Sequence, residues 1–131
     1  SSSAPSRPKR HLSLLLALCC RHRCSWDDFV NKKFFLDHDL ARNAREFHVL
    51  ASAASWSLSP GRNKGFGMNE DHQAELHRRL RVGNACRALI DLARAHFLLG
   101  IGAKTELRPY VHIGVTPENT LLLAWNDPEL A

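Results

Sequence analysis

The segment HLSLLLALCC, His11 to Cys20, with RHRCSW, Arg21 to Trp26, directly behind it, decides how the rest of this chain is read. Its apolar residues run on continuously rather than alternating, the pattern of a strand covered on both faces, although a leucine-rich helix would show the same run. Taken as an interior parallel strand, it delivers residues 19 to 26 to the carboxyl end of a sheet. Ligands of open α/β sheets bind outside that end. The loop is therefore the first place to look for chemistry.

Downstream, Ser25 before Trp26-Asp27-Asp28 predicts a helix cap with acids in the first turn, and Phe29, Val30, Lys33, Phe34 and Leu36 continue at near-helical spacing. Arg45 to Trp56 is a second helical stretch, and Ser57 to Met68, with Pro60, Gly61, Gly65 and Gly67, must be loop. Asn69 to Leu99 is the longest regular stretch. Asn69 caps it, Ala85, Leu89, Leu92, His96 and Leu99 recur on one side, Gly83 is the expected point of bending or breakage, and Gly100 with Gly102 ends it. Lys104 to Ile113 and Thr120 to Trp125 predict a closing hairpin. The order strand, helices, strand pair suits the carboxyl-terminal half of a three-layer α/β domain better than a complete fold.

The chain has 131 residues, with 44% apolar and 24% charged side chains, an ordinary soluble composition for one domain. Lys and Arg number 18 against 13 for Asp and Glu, a net charge of +5, so a large partner is expected to be an anion, nucleic acid first. Residues 1–10 are Ser, Pro and basic side chains and read as a disordered lead-in, leaving 11–131 as the folded part. No apolar run reaches the ~18 residues of a membrane helix, so no membrane partner is expected. The basic flank and leucine run imitate a secretory signal, but no small-x-small cleavage pattern follows. Closely spaced cysteines with only Cys86 downstream suit reduced thiols and an intracellular protein of nucleus or cytoplasm. Starting at Ser1, with Met68 its only methionine, the chain reads as a fragment.

The loop holds Cys19, Cys20, His22, Arg23, Cys24 and Trp26 within eight positions: thiols, a guanidinium, a stacking surface, and imidazole, the side-chain type suited to proton transfer near neutrality. Zinc is one reading, since thiolate and imidazole are its ligands, yet adjacent cysteines do not easily share a tetrahedral shell and no second, distant pair exists. Small buried packers at a strand end are the plainer reading of Cys19 and Cys20. On the long helix, Arg87, Asp91 and Arg94 lie at steps of four and three and share a face, where simple ion pairs would suffice. His77, Arg78, Arg79 and Arg81 form a basic patch that suits duplex RNA, or merely a solvated face.

Cys19-Cys20-Arg21-His22-Arg23-Cys24-Ser25-Trp26, followed by Phe29-Val30-Asn31-Lys32-Lys33-Phe34-Phe35, resembles the Cys-Cys-His-His-Arg-Cys-x-Trp-x-x-Tyr-Val-Gly-Lys-x-Tyr-Phe stretch of the eukaryotic tRNA acceptor-stem ribose 2′-O-methyltransferases, the Trm-thirteen type. The likeness continues through Glu46-Phe47, Ser55-Trp56, Cys86-Arg87-Ala88-Leu89-Ile90-Asp91-Leu92-Ala93-Arg94, Tyr110-Val111 and Glu118-Asn119-Thr120-Leu121-Leu122. It departs at Arg21 for a histidine, Phe29 for a tyrosine, and Asn31 and Ala93 for glycines.

The resemblance implies the carboxyl-terminal half of a Rossmann-like methyltransferase that uses S-adenosyl-L-methionine and acts on the ribose of acceptor-stem nucleotide 4 of tRNA. The half carrying the glycine-rich cofactor loop is expected to precede this chain and to be its partner, since no G-x-G-x-x-G occurs before His11. On that reading His22 is the base, Arg23 holds the flanking phosphate, and Arg94, oriented by Asp91, faces the RNA. Cys19 and Cys20 shape the wall beside the methyl donor, and Arg78, Arg79, Arg81 and Arg87 bind RNA; no metal is expected. A basic RNA-binding module without catalysis and a zinc-stabilised domain around Cys19, Cys20, His22 and Cys24 are the competing readings.

Overall fold

The computed structural model describes residues 11, 13–58 and 69–126; the disordered lead-in expected at 1–10 and most of the glycine-containing loop lie outside them. The leucine run does form a strand, β1, Ser13–Leu18. It is not, however, an interior parallel strand. The sheet is antiparallel with order β1-β3-β2, where β2 is Lys104–Pro109 and β3 is Thr120–Trp125. β1 is an edge, and Leu15 and Leu16 are 64% and 44% exposed. A run apolar on both faces signals that cover is wanted; it carries no information on which strands supply it.

The expected hairpin is present, with Lys104 opposite Trp125 and Pro109 opposite Thr120. Pro109 is accommodated because β2 is the other edge, where a missing N–H costs no ladder bond. Side chains alternate across the sheet, so Leu18, Leu122 and Leu107 turn to one face and pack with Ala95 and Leu98 of the long helix. Architecture is thus α/β with a small antiparallel sheet, and no parallel pairing occurs among the described residues.

Between β1 and β3 the chain is mostly helical. A 3-10 turn, Arg21–Arg23, leads to α1, Lys32–Asp37; α2, Ala44–Ala53, runs on into a second 3-10 turn, Ala54–Ser57; α3 is Glu70–Gly100. Ser25 does not cap a helix. Trp26 to Asp28 is a turn, and Asn31 caps α1 by accepting from the Phe34 N–H at 3.2 Å. Its Nδ2 donates to the Ala93 carbonyl of α3 at 2.8 Å. Asn43 and Asn69 cap α2 and α3 in the same way, through Glu46 and His72.

α3 passes through Gly83 as one unbroken helix of 31 residues. Gly83 is there for space: a Cβ at that position would lie 2.6 Å from the Ser57 nitrogen and 3.1 Å from the Ala53 carbonyl oxygen. The 3-10 turn therefore rests directly on the helix backbone. The buried side of α3 is also not the leucine-lined side. Leu92 and Leu99 are 48% and 54% exposed, whereas Arg87, Ile90, Asp91 and Ala93 are buried. Ile90 and Ala93 close a core of Phe29, Phe35 and Phe47, whose rings meet at 5.1–5.5 Å between centroids.

Candidate functional site

The site begins where β1 ends. Cys20 takes a left-handed conformation, φ 50 and ψ 39, which turns the chain sharply into the 3-10 turn. Such a conformation costs a non-glycine residue roughly 1–2 kcal/mol. The Cys20 N–H, turned off the strand, donates to Glu118 Oε1 at 2.8 Å, fastening the turn to the β2–β3 connection. Cys19 and Cys20 are both exposed.

The turn throws Arg21 inward. Its side chain, 1% exposed, reaches α3 and donates from Nε and Nη2 to the two carboxylate oxygens of Asp91, at 3.0 and 2.8 Å. Asp91 also faces Arg94, with Nη1 3.5 Å from Oδ1. Arg94 in turn donates from Nη2 to the Cys24 sulfur at 3.1 Å and lies over the Phe29 ring, 5.7 Å from its centroid. A bidentate, desolvated guanidinium–carboxylate pair fixes both side chains.

The two residues expected to act together on α3, Asp91 and Arg94, are in fact joined, but the charge that completes them is Arg21. Neither Arg21 nor Glu118 is a candidate on spacing alone. The signal available was chemical: Asp91 stands between Ile90 and Leu92 in an apolar stretch, and a buried carboxylate requires a cation.

His22 does not join this group. It is half-buried, its Nδ1 is buried without a hydrogen-bond partner, and it stands between two cavities of about 440 Å³ each. One is walled by Ser55, Trp56, Leu58, Leu76 and Arg79, the other by Arg23, Cys24, Trp26, Phe47 and His48 among others. Arg23 is exposed and makes no ion pair among the described residues, neither with Asp27 nor with Asp28. A third cleft, about 380 Å³, lies beside the Arg21–Asp91 pair.

The basic patch divides. Arg79 stacks on Trp56, 4.9 Å from the ring centroid, Arg78 pairs with Glu75 at 2.8 Å, and Arg81 is exposed. Arg87 leaves this surface altogether. It is buried, with Nη2 bonded to the Pro117 carbonyl and Nη1 3.5 Å from Ser57 Oγ. Two turns of helix separate it from Arg79, and α3 rotates it onto the packed side.

Three of the four thiols, those of Cys20, Cys24 and Cys86, are pushed up. Burial pushes Cys24 above the usual thiol range, against the pull of Arg94, and burial alone does the same for Cys86. The Cys20 thiol is raised first by its hydrogen bond with Cys19, then by the charge of Cys19, by desolvation and by Glu118. Raised values make Cys20, Cys24 and Cys86 weaker nucleophiles near neutral pH. No group of three or more His, Cys, Asp or Glu side chains is placed to hold a metal among the described residues. Nor, among them, is any helix long and apolar enough to cross a membrane.

Comparison with known proteins bears on this arrangement. The sequence matches the family described as "Methyltransferase TRM13" over residues 1–125. It is 34% identical over 123 residues to the tRNA:m(4)X modification enzyme TRM13 of Kluyveromyces lactis, covering 85% of this chain and 28% of that protein. To the TRM13 homolog of Homo sapiens it is 27% identical over 142 residues, 85% of this chain and 29% of the other. It thus spans less than a third of the length of these curated relatives. No solved structure gives a significant match. The chain belongs to the TRM13 methyltransferase family.

Proposed function

We propose that this chain is the catalytic-loop portion of a tRNA 2′-O-methyltransferase, transferring methyl to the ribose 2′-hydroxyl of acceptor-stem nucleotide 4 inside the cell, in nucleus or cytoplasm. The observation that carries the reading is the joining of family membership with a turn at Cys20 whose neighbours Arg21, Asp91 and Arg94 form one buried network. S-adenosyl-L-methionine, when bound, supplies an electrophilic methyl on a sulfonium.

The residues present fit the methyl end of that donor. Cys19 and Cys20 offer an exposed wall of two side chains, and the half-buried Glu118 carboxylate, held on the Cys20 N–H, suits a nearby cation. No G-x-G-x-x-G segment occurs in the chain, so the residues holding the adenosine end belong to the rest of a complete domain of Rossmann-like fold.

A ribose hydroxyl is a weak nucleophile, and holding it in line with the methyl is the larger part of the task. The Arg21–Asp91 pair keeps the turn at a fixed height above α3, which sets where His22 stands. His22, half-buried and lining both cavities, is the imidazole on this loop able to take the hydroxyl proton. Arg23, exposed and without an ion pair among the described residues, lines one of the two cavities beside His22 and suits the flanking phosphate. Asp91, itself held by Arg21, fixes the orientation of Arg94, which also contacts the Cys24 sulfur and is the guanidinium set to face the RNA. Arg78, Arg79 and Arg81 offer backbone contacts along the exposed amino-terminal part of α3.

The test is methyl incorporation into tRNA by the intact protein, beside the same tRNA with a 2′-deoxy nucleotide 4. Incorporation is expected in the first and not the second, with His22→Ala slowing it about 100-fold or more. Equal labelling of the deoxy RNA would remove the ribose hydroxyl as acceptor. Tight RNA binding without any incorporation would instead support a non-catalytic RNA-binding module.

A further inference from the structure

Arg87 is 8% exposed, and no carboxylate answers it among the described residues. Its hydrogen-bond partners are a carbonyl, Pro117, and a hydroxyl, Ser57, and its Nε is buried with none. Arg21 Nη1 is also buried without a hydrogen bond, 3.9 Å from Glu118 Oε1. The local group is therefore Arg21, Arg87 and Arg94 against Asp91 and Glu118, one positive charge in excess. Guanidinium groups withdrawn from water are unfavourable unless an anion joins them.

Arg21, Arg87 and Asp91 of this group border the cleft of about 380 Å³ between α3 and the β2–β3 hairpin, whose other polar lining is Asn84, Asn119 and Thr120. Asn119 is already engaged, donating to the Val111 carbonyl, while the Asn84 carboxamide makes no hydrogen bond among the described residues. We propose that this cleft is an oxyanion site in which Arg87 and Arg21 hold a phosphate group of the RNA backbone. Two guanidinium side chains lining one cleft suit a tetrahedral oxyanion, and the volume admits a nucleotide-sized group. Burial and then the Arg21 charge pull Arg87 below its usual value, with Glu118 and Asp91 opposing, and a bound anion would relieve that pull. The choice of RNA as source rests on the function proposed above; the charge of the ligand rests on the geometry. A carboxylate of the methyl donor is the other source of the same chemistry.

The experiment uses the intact protein, Arg87→Met and Asn84→Glu. The second variant changes an exposed helix position and sets a carboxylate at the rim, so it folds even where the first does not. Inorganic phosphate at millimolar concentration is expected to raise the melting temperature of the unaltered protein and to leave either variant unmoved. Equal shifts in all three, or none in the unaltered protein, overturn the site. The source is read separately. RNA is identified if tRNA affinity falls about tenfold and the slope of log affinity against log salt drops by about one, with donor affinity unchanged. Weakened donor binding with unchanged tRNA binding assigns the site to the donor's carboxylate and overturns the RNA assignment. A protein that binds no tRNA at all removes the proposed function, and the phosphate measurement still decides the site.

Discussion

Arg21 and Asp91 stand 70 positions apart in sequence and share two hydrogen bonds of 3.0 and 2.8 Å, with both side chains buried. This one contact joins the end of β1 to the middle of α3. It also determines the posture of every other residue in the turn, since His22 and Arg23 occupy the same 3-10 segment.

Cutting one side of the pair should be worse than replacing both. Asp91→Ala leaves a buried guanidinium and is expected to cost about 3–5 kcal/mol, while Arg21→Met with Asp91→Leu should cost clearly less than the two single changes added. Urea denaturation of the parent and the four variants measures it. A single variant within about 0.5 kcal/mol of the parent would show the pair to be inessential to the fold.

Gly83→Ala should destabilise even though alanine is the better helix former by about 1 kcal/mol, because its Cβ would strike the Ser57 nitrogen 2.6 Å away. Gly100→Ala meets nothing within 4 Å and should be neutral or mildly stabilising. The two thermal melts, compared, separate contact from propensity. A more stable Gly83→Ala protein would mean that the 3-10 turn does not rest on α3.

At Cys20, glycine should be accepted and valine refused. The left-handed backbone, φ 50, suits glycine, whereas a β-branched side chain there should lose about 1–2 kcal/mol or more. Equal melting temperatures for Cys20→Gly and Cys20→Val would contradict the conformation.

Stability should decline in alkali more steeply than ordinary lysine and tyrosine titration explains. Cys24 and Cys86 have raised values in the folded state, so the folded protein keeps protons that the unfolded chain releases. Their contribution is complete below the unfolded thiol value of about 8.5 and is lost as pH climbs through the folded values. Melting temperatures from pH 8 to 10.5 should therefore fall less for Cys24→Ser with Cys86→Ala than for the parent. Parallel curves would refute the assignment.

What could be read from the residues was what is local. The six-residue β1, the cap at Asn69, the stretch ending at Trp56 and the strand Thr120–Trp125 each follow from neighbours in sequence. The helix cap failed at Ser25 because residues 26–28 form a turn rather than a helix, and the real cap, Asn31, is tied to α3 as well as to the Phe34 N–H. On α3, ranking by apolarity chose the wrong side. Arg87 and Asp91 are buried there while Leu92 faces out, since ion pairing and a backbone carbonyl compensate the charged side chains. His22 was legible as a residue able to move a proton; its separation from Asp91 and Arg94 depends on the left-handed turn before it, which nothing short of coordinates reveals.

Asn31 spends its one amide twice, closing the start of α1 with the oxygen and gripping the Ala93 carbonyl with the nitrogen. Asn31 and Ala93 are the two positions at which the resemblance drawn above departs from glycine, and they meet as a single joint in space. An aspartate at position 31 would keep the lid and drop the latch, freeing a six-residue helix to swing about its own beginning.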